Sequence, residues 1–199
     1  RDPQVHYDGN KILFSYRKGG ESYFHLYEIG VDGSGLAPLT DGPYDDFDPV
    51  YLPDPRHILF STTRGHTYVR CMPPTSAFVL ARAKRDGSDI YLISRNNEPD
   101  YLPSVMPDGR VIYTRWDYND RGQTPPQPLF VMNPDGTGQT EYYGNNSRFP
   151  TTLNHARGIP GTKKVLAVAH GHHTWQAGKL VIVEDQPLPA PPGARLDAV

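Results

Sequence analysis

Apolar and polar residues alternate along short stretches of this chain, and turn residues separate the stretches. In Arg110 to Arg115 (RVIYTR), Val111, Tyr113 and Arg115 fall on one side of an extended backbone, Ile112 and Thr114 on the other. Pro107-Asp108-Gly109 stands directly before this run, and an Asp-Gly turn leading into alternation predicts a β-hairpin. The phrase recurs. Leu102 to Trp116 reads LPSVMPDGRVIYTRW, Val50 to Arg64 reads VYLPDPRHILFSTTR, and Val5 to Arg17 reads VHYDGNKILFSYR. A fourth copy, Thr151 to Gly171, keeps the strand KVLAVAH but replaces the turn with a longer connection containing Pro160 and Gly161.

Asp8, Asp54 and Asp108 hold the matching turn position and lie 46 and 54 residues apart, close to the roughly 40–50 residues of a four-stranded propeller blade. A second Asp-Gly turn follows in three units, at Asp32-Gly33, Asp86-Gly87 and Asp135-Gly136. It is preceded by FHLYEI, AFVLARA or PLFVM and followed by LAPLT, DIYLIS or QTEYY. Each unit is thus four strands, A to D, and no amphipathic helical stretch interrupts them. The expected fold is all-β: a β-propeller of four-stranded blades at about 5–40, 50–94, 102–143 and 151–185, with a Pro-rich tail or linker at 186–199. The last blade stops after its third strand, KLVIVE, so the four visible blades are expected to belong to a larger ring.

Composition narrows the picture further. The 199 residues suffice for one domain with a core, and 19 Gly with 21 Pro suit a turn-rich β protein because 13 Tyr and 7 Phe accompany them. A net charge of −2 supplies no basic field, so no nucleic-acid partner is expected. No apolar run reaches the roughly 18 residues of a membrane span. Cys71 is the single cysteine, which excludes an internal disulfide and any C-x-x-C-H haem attachment site in this chain.

In an up-and-down blade the A–B and C–D turns share one face of the disc, while the B–C and D-to-A connections share the other. The unusual residues all fall on that second face, where loops on a rigid scaffold carry function. Asp41, Asp45, Asp46 and Asp48 offer oxygen ligands for calcium or, alternatively, caps where one blade passes to the next. His66 and Cys71 lie in the B–C connection of blade two; Cys71 reads as a metal ligand, a reactive thiol or a small buried hydrophobe. Arg115, Trp116, Asp117 and Tyr118 form a ligand shelf, an interface anchor or a cover over the core. His170, His172 and His173, with Trp175, have a metal-binding composition, and alternation lets His170 and His172 share a face.

The phrases YLPDPRHILFSTTR, VMPDGRVIYTRW, DGSGLAPLT and NPDGTGQ resemble the TolB-like (PD40) propeller repeat. The stretches RCMPPTSAFVLARAKRDGSDIYLISRNNEPDYLPSVMPDGRVIYTRWDY and NPDGTGQTEYYGNNSRFPTTLNHARGIPGTKKVLAVAHGHH resemble proteins related to the hydrazine synthase alpha subunit. That resemblance covers about Asp32 to Glu184. It implies a propeller joined to c-type haem domains, in a subunit that takes part in making hydrazine from nitric oxide and ammonium. It also implies a periplasmic or otherwise exported location and a zinc ion held partly by a propeller cysteine, for which Cys71 is the candidate.

Three functional readings follow. The first is a non-catalytic binding or scaffold propeller that presents its B–C face to a protein partner or a fused, cytochrome-like module, with no enzyme activity assigned to this segment alone. The second is a metal-dependent enzyme site, with Cys71 and the histidine cluster as ligands and Arg115 or Asp117 helping the substrate. The third is a carbohydrate or peptide binder that stacks its ligand on Trp116, Tyr118 and Trp175.

Overall fold

The structure is a computed structural model and describes residues 1–70, 74–117, 126–144, 150–172, 174–175 and 177–184. Its regular structure is entirely β. Blade one comprises Gln4–Val5 (β1), Lys11–Tyr16 (β2), His25–Gly30 (β3) and Ala37–Pro38 (β4). Blade two comprises Asp46–Tyr51 (β5), His57–Thr62 (β6), Val79–Lys84 (β7) and Tyr91–Leu92 (β8). Asp100–Val105 (β9), Val111–Arg115 (β10), Leu129–Met132 (β11) and Thr140–Tyr143 (β12) form blade three. Blade four consists of Thr152–Gly158 (β13), Lys164–His170 (β14) and Lys179–Glu184 (β15).

Every sheet is antiparallel and follows chain order, four-stranded in the first three blades and three-stranded in the fourth. The fourth strands of blades one and two are two residues long, shorter than LAPLT and DIYLIS suggest. Pro38 sits on the outer edge of its sheet, where a missing N–H costs no ladder bond. The first strands are innermost and meet one another in sequence around the axis.

Alternation works differently here from a sheet with one wet face, because both sides of β10 are buried. Val111 and Tyr113 pack with Val50, Leu59 and Leu80 of blade two, while Ile112 packs with Leu153, Val165 and Ala167 of blade four. The blade one–two seam joins Leu13 and Leu26 to Tyr51, Ile58 and Phe60. Each fully buried Leu or Phe stabilises its seam by about 1.5–3 kcal/mol. The polar members of the alternation also act across seams. Ser15 Oγ donates to the carbonyl of Asp46 (2.9 Å), and Thr114 Oγ1 donates to the carbonyl of Leu153 (2.7 Å).

The second Asp-Gly turns are tied internally, and two of them lock onto the blade before. Asp32, Asp86 and Asp135 each accept the backbone N–H and the hydroxyl of Ser34, Ser88 or Thr137. Gly87 and Gly136 have positive φ and press against Leu39 and Ile93; a Cβ on Gly87 would lie 1.8 Å from the carbonyl oxygen of Leu39. Only glycine allows that approach.

Candidate functional site

Arg115 ends β10 and turns back onto its own blade. Its Nε donates to Asp100 Oδ1 (2.8 Å) and its Nη2 to Asp100 Oδ2 (3.0 Å), with the guanidinium 4.7 Å from the centre of the Phe130 ring. Burial pushes the Asp100 carboxyl up, and the Arg115 guanidinium pulls it the other way. A bidentate pair of this kind is a structural clasp, and with a further bond from Nη2 to Gln139 it commits most of the donors of Arg115. Trp116 donates its backbone N–H to the Pro99 carbonyl (2.8 Å), and Asp117 donates its own to the Pro126 carbonyl (2.9 Å). His66 stands apart on blade two, with positive φ and its ring 5.5 Å from that of Tyr44. Cys71, Tyr118, His173 and the tail at 186–199 lie outside the described residues.

Blades three and four bring Trp116, His170 and His172 together through a network centred on Tyr101. The Tyr101 hydroxyl lies between Gln127 Oε1 and Asn154 Oδ1 and has one proton to give. Asn154 Nδ2 meets His170 Nε2 at 2.9 Å, and Gln127 Nε2 meets His172 Nδ1 at 3.3 Å. With both amide oxygens facing Tyr101, both amide nitrogens act as donors, so these two ring nitrogens are acceptors. The His170 Nδ1–H then donates to the Gly171 carbonyl (2.9 Å). The His172 ring stands edge-on to Trp116 at 5.3 Å, and burial raises the Tyr101 phenol above its usual range. Trp175, beside this network in sequence, is 90% exposed.

These bonds bear on the zinc that the resemblance implies. As placed, His170 Nε2 and His172 Nδ1 are occupied by amide donors, and among the described residues no three His, Cys, Asp or Glu side chains are grouped to hold a metal. The described donor set by itself does not fit a zinc site. The acidic segment is dispersed as well. Asp45 Oδ1 caps the Phe24 N–H (2.9 Å), while Asp46 accepts Thr62 Oγ1 (2.7 Å) and Arg64 Nη2 (2.9 Å). Asp45 thus takes a capping role and Asp46 an ion pair with Arg64, while Asp48 lies at the axis.

Two features escaped the sequence reading. On the turn face, the A–B turns frame an open bowl of about 1010 Å³ whose lining includes Tyr7, Pro53, Pro107 and Pro160. At the axis, Asp2, Asp48, Leu102 and His155 all have left-handed backbones, with φ of 53°, 47°, 54° and 54°. The last three sit where strand register slips between β5 and β6, β9 and β10, and β13 and β14, as β-bulges do. A left-handed non-glycine residue costs about 1–2 kcal/mol. Together with Gln4, Arg157 and nearby prolines, these residues line a cavity of about 150 Å³. Asp2-Pro3, Asp48-Pro49 and Leu102-Pro103, spaced 46 and 54 residues apart, were the available signal.

The fold is a β-propeller, and it is similar to those of hydrazine synthase and TolB. Kuenenia stuttgartiensis hydrazine synthase matches with a TM-score of 0.82 at 20% identity, over 92% of this chain and 31% of that one. A putative TolB from Agrobacterium tumefaciens matches with a TM-score of 0.65 at 13% identity, over 91% and 63%. A puromycin hydrolase matches with a TM-score of 0.60 at 16% identity, over 92% and 26%. At these identities the likeness establishes the fold. An uncharacterized protein of Agrobacterium fabrum is 27% identical over 105 residues, 52% of this chain and 32% of that protein. The chain therefore spans about a third of the hydrazine synthase chain, and its match covers about a third of the Agrobacterium fabrum protein. No family model matches. Among the described residues, no helix is long and apolar enough to cross a membrane.

Proposed function

We propose that this chain is a binding propeller, exported as its resemblance to TolB implies, which engages a protein partner or a fused domain through the B–C loops of blades three and four. The observation that carries this reading is the exposed Trp175, which follows in sequence on a hydrogen-bonded platform of Trp116, His170, His172, Gln127 and Tyr101. Exposed aromatics on a rigid base are the common anchors of interfaces. The likeness to a hydrazine synthase chain favours a partner within a larger assembly.

Cross-linking of the protein in its source cells, followed by mass spectrometry, tests the reading. A single partner or domain cross-linked near 115–117 and 170–175, and lost in Trp175→Ala, is the expected result. Cross-links confined to the Asp-Gly turn face would overturn it.

A further inference from the structure

The axial cavity carries an inference independent of the loop face. Its charged groups do not pair with each other. Arg157 donates from Nη1 to the Ala156 carbonyl (3.1 Å), and among the described residues no carboxylate lies within 4.0 Å of its guanidinium. Across the cavity, Asp48 Oδ2 accepts Ser61 Oγ (3.2 Å) and the Leu102 N–H (3.3 Å), while its Oδ1 is buried without a partner. Asp2 is already paired with Arg1 (2.8 Å). One negative and one positive group are left facing a shared space.

Burial disfavours both charges. It pushes the Asp48 carboxyl up to about 6, helped by the negative charge of Asp2, and lowers Arg157, which Asp48 partly restores. Burial and Arg157 lower His155, so its ring is neutral near neutral pH. A simple cation would satisfy Asp48 and leave Arg157 unanswered, and an anion would do the reverse. A molecule with both charges answers both. The cavity of about 150 Å³ equals roughly five water volumes at about 30 Å³ each, enough for a compact molecule of about five or six heavy atoms. Four left-handed residues converging on one small space are consistent with a built site.

We propose that the axial cavity binds a small zwitterion of the α-amino acid class, its carboxylate against the Arg157 guanidinium and its ammonium against the Asp48 carboxylate. Gln4 and the neutral His155 supply further polar contacts, and Leu102 and Pro103 limit the size of the side chain.

The test is calorimetric titration of the full chain near neutral pH with alanine, using propionate and ethylamine as controls that carry one charge each. Alanine is expected to bind at one site per chain, and each control at least about tenfold more weakly, because each leaves a charged group without its hydrogen bonds. Arg157→Met and Asp48→Asn should each weaken alanine about tenfold or more, with Arg157→Lys between Arg157→Met and the parent chain. Circular dichroism establishes that each variant is folded, and Arg157→Met alone suffices if Asp48→Asn is not. No binding of alanine or glycine up to about 10 mM, where a millimolar site is mostly filled, would overturn the proposal. So would ethylamine or propionate binding as tightly as alanine.

Discussion

Leu13, Leu59, Ile112 and Leu166 occupy one position of the repeat, yet the first three are 0% exposed and Leu166 is 37% exposed. On the neighbouring strand, Leu26, Leu80 and Leu129 are 0% exposed and Leu180 is 71% exposed. The two sets have nearly the same side chains and the same pairing within their sheets. What differs is the next blade, present against blades one to three and absent from the described residues beside blade four. Polar positions follow the same division. Ser15 and Thr114 reach across a seam, whereas their counterpart in blade four is Val168, with no hydroxyl to give. A propeller is thus stabilised mainly between its repeats, and a repeat is only as stable as its neighbours make it.

Removing a seam leucine should give the largest effect. Leu59→Ala is expected to cost about 2–5 kcal/mol, while Leu166→Ala should cost about 1–2 kcal/mol, because more than a third of Leu166 is already in water and its removal leaves no closed cavity. Urea denaturation of the two variants compares them directly, and equal losses would mean that blade four is covered in solution. The turn glycines sharpen the same contrast. Gly87→Ala meets the Leu39 carbonyl and should cost about 3 kcal/mol or more, whereas Gly33→Ala, with open space around it, should cost about 1 kcal/mol from backbone strain alone. Thermal unfolding reads both.

Thr114→Val removes a hydrogen bond to the buried Leu153 carbonyl and should cost about 1–3 kcal/mol. Val168→Thr should stay within about 0.5 kcal/mol. Equilibrium unfolding in urea checks the pair. A pH-dependent effect belongs to the middle seam, where Ser61 donates to the carboxylate of Asp48 in its own blade and that carboxylate accepts the Leu102 N–H of blade three. The carboxyl of Asp48 is raised in the fold, so its protonated form is favoured there. Its contribution to stability is present at low pH and is lost as pH rises from the ordinary carboxylate range through about 6. Asp48→Asn should therefore gain stability relative to the parent across that window, and denaturant midpoints at its two ends would reveal the gain. A difference that shrinks as pH rises would contradict the sign.

Much of this was legible in the chain. The Asp-Gly turns, the alternation of Val111 to Arg115 and the spacing of Asp8, Asp54 and Asp108 led to blades because strand period and turn chemistry are local. The gathering of Trp116, His170 and His172 near one another was approached through topology, since both loops leave the same face. Their bonding was not, because it depends on Tyr101, Gln127 and Asn154, which lie on three separate segments. The sequence offers Arg115 as part of a ligand shelf, and only cross-strand pairing commits it to Asp100. The axial cavity went unread because Asp48, Leu102 and His155 share no side-chain chemistry. They share a backbone conformation.

The sequence by itself determined the repeat, the strand order within each blade and the turns, because each rests on contacts between residues close in the chain. Tertiary structure alone decided which apolar faces became core and which charges were left unpaired at the axis. Those outcomes depend on the packing of whole sheets against one another, brought together from positions about 50 residues apart.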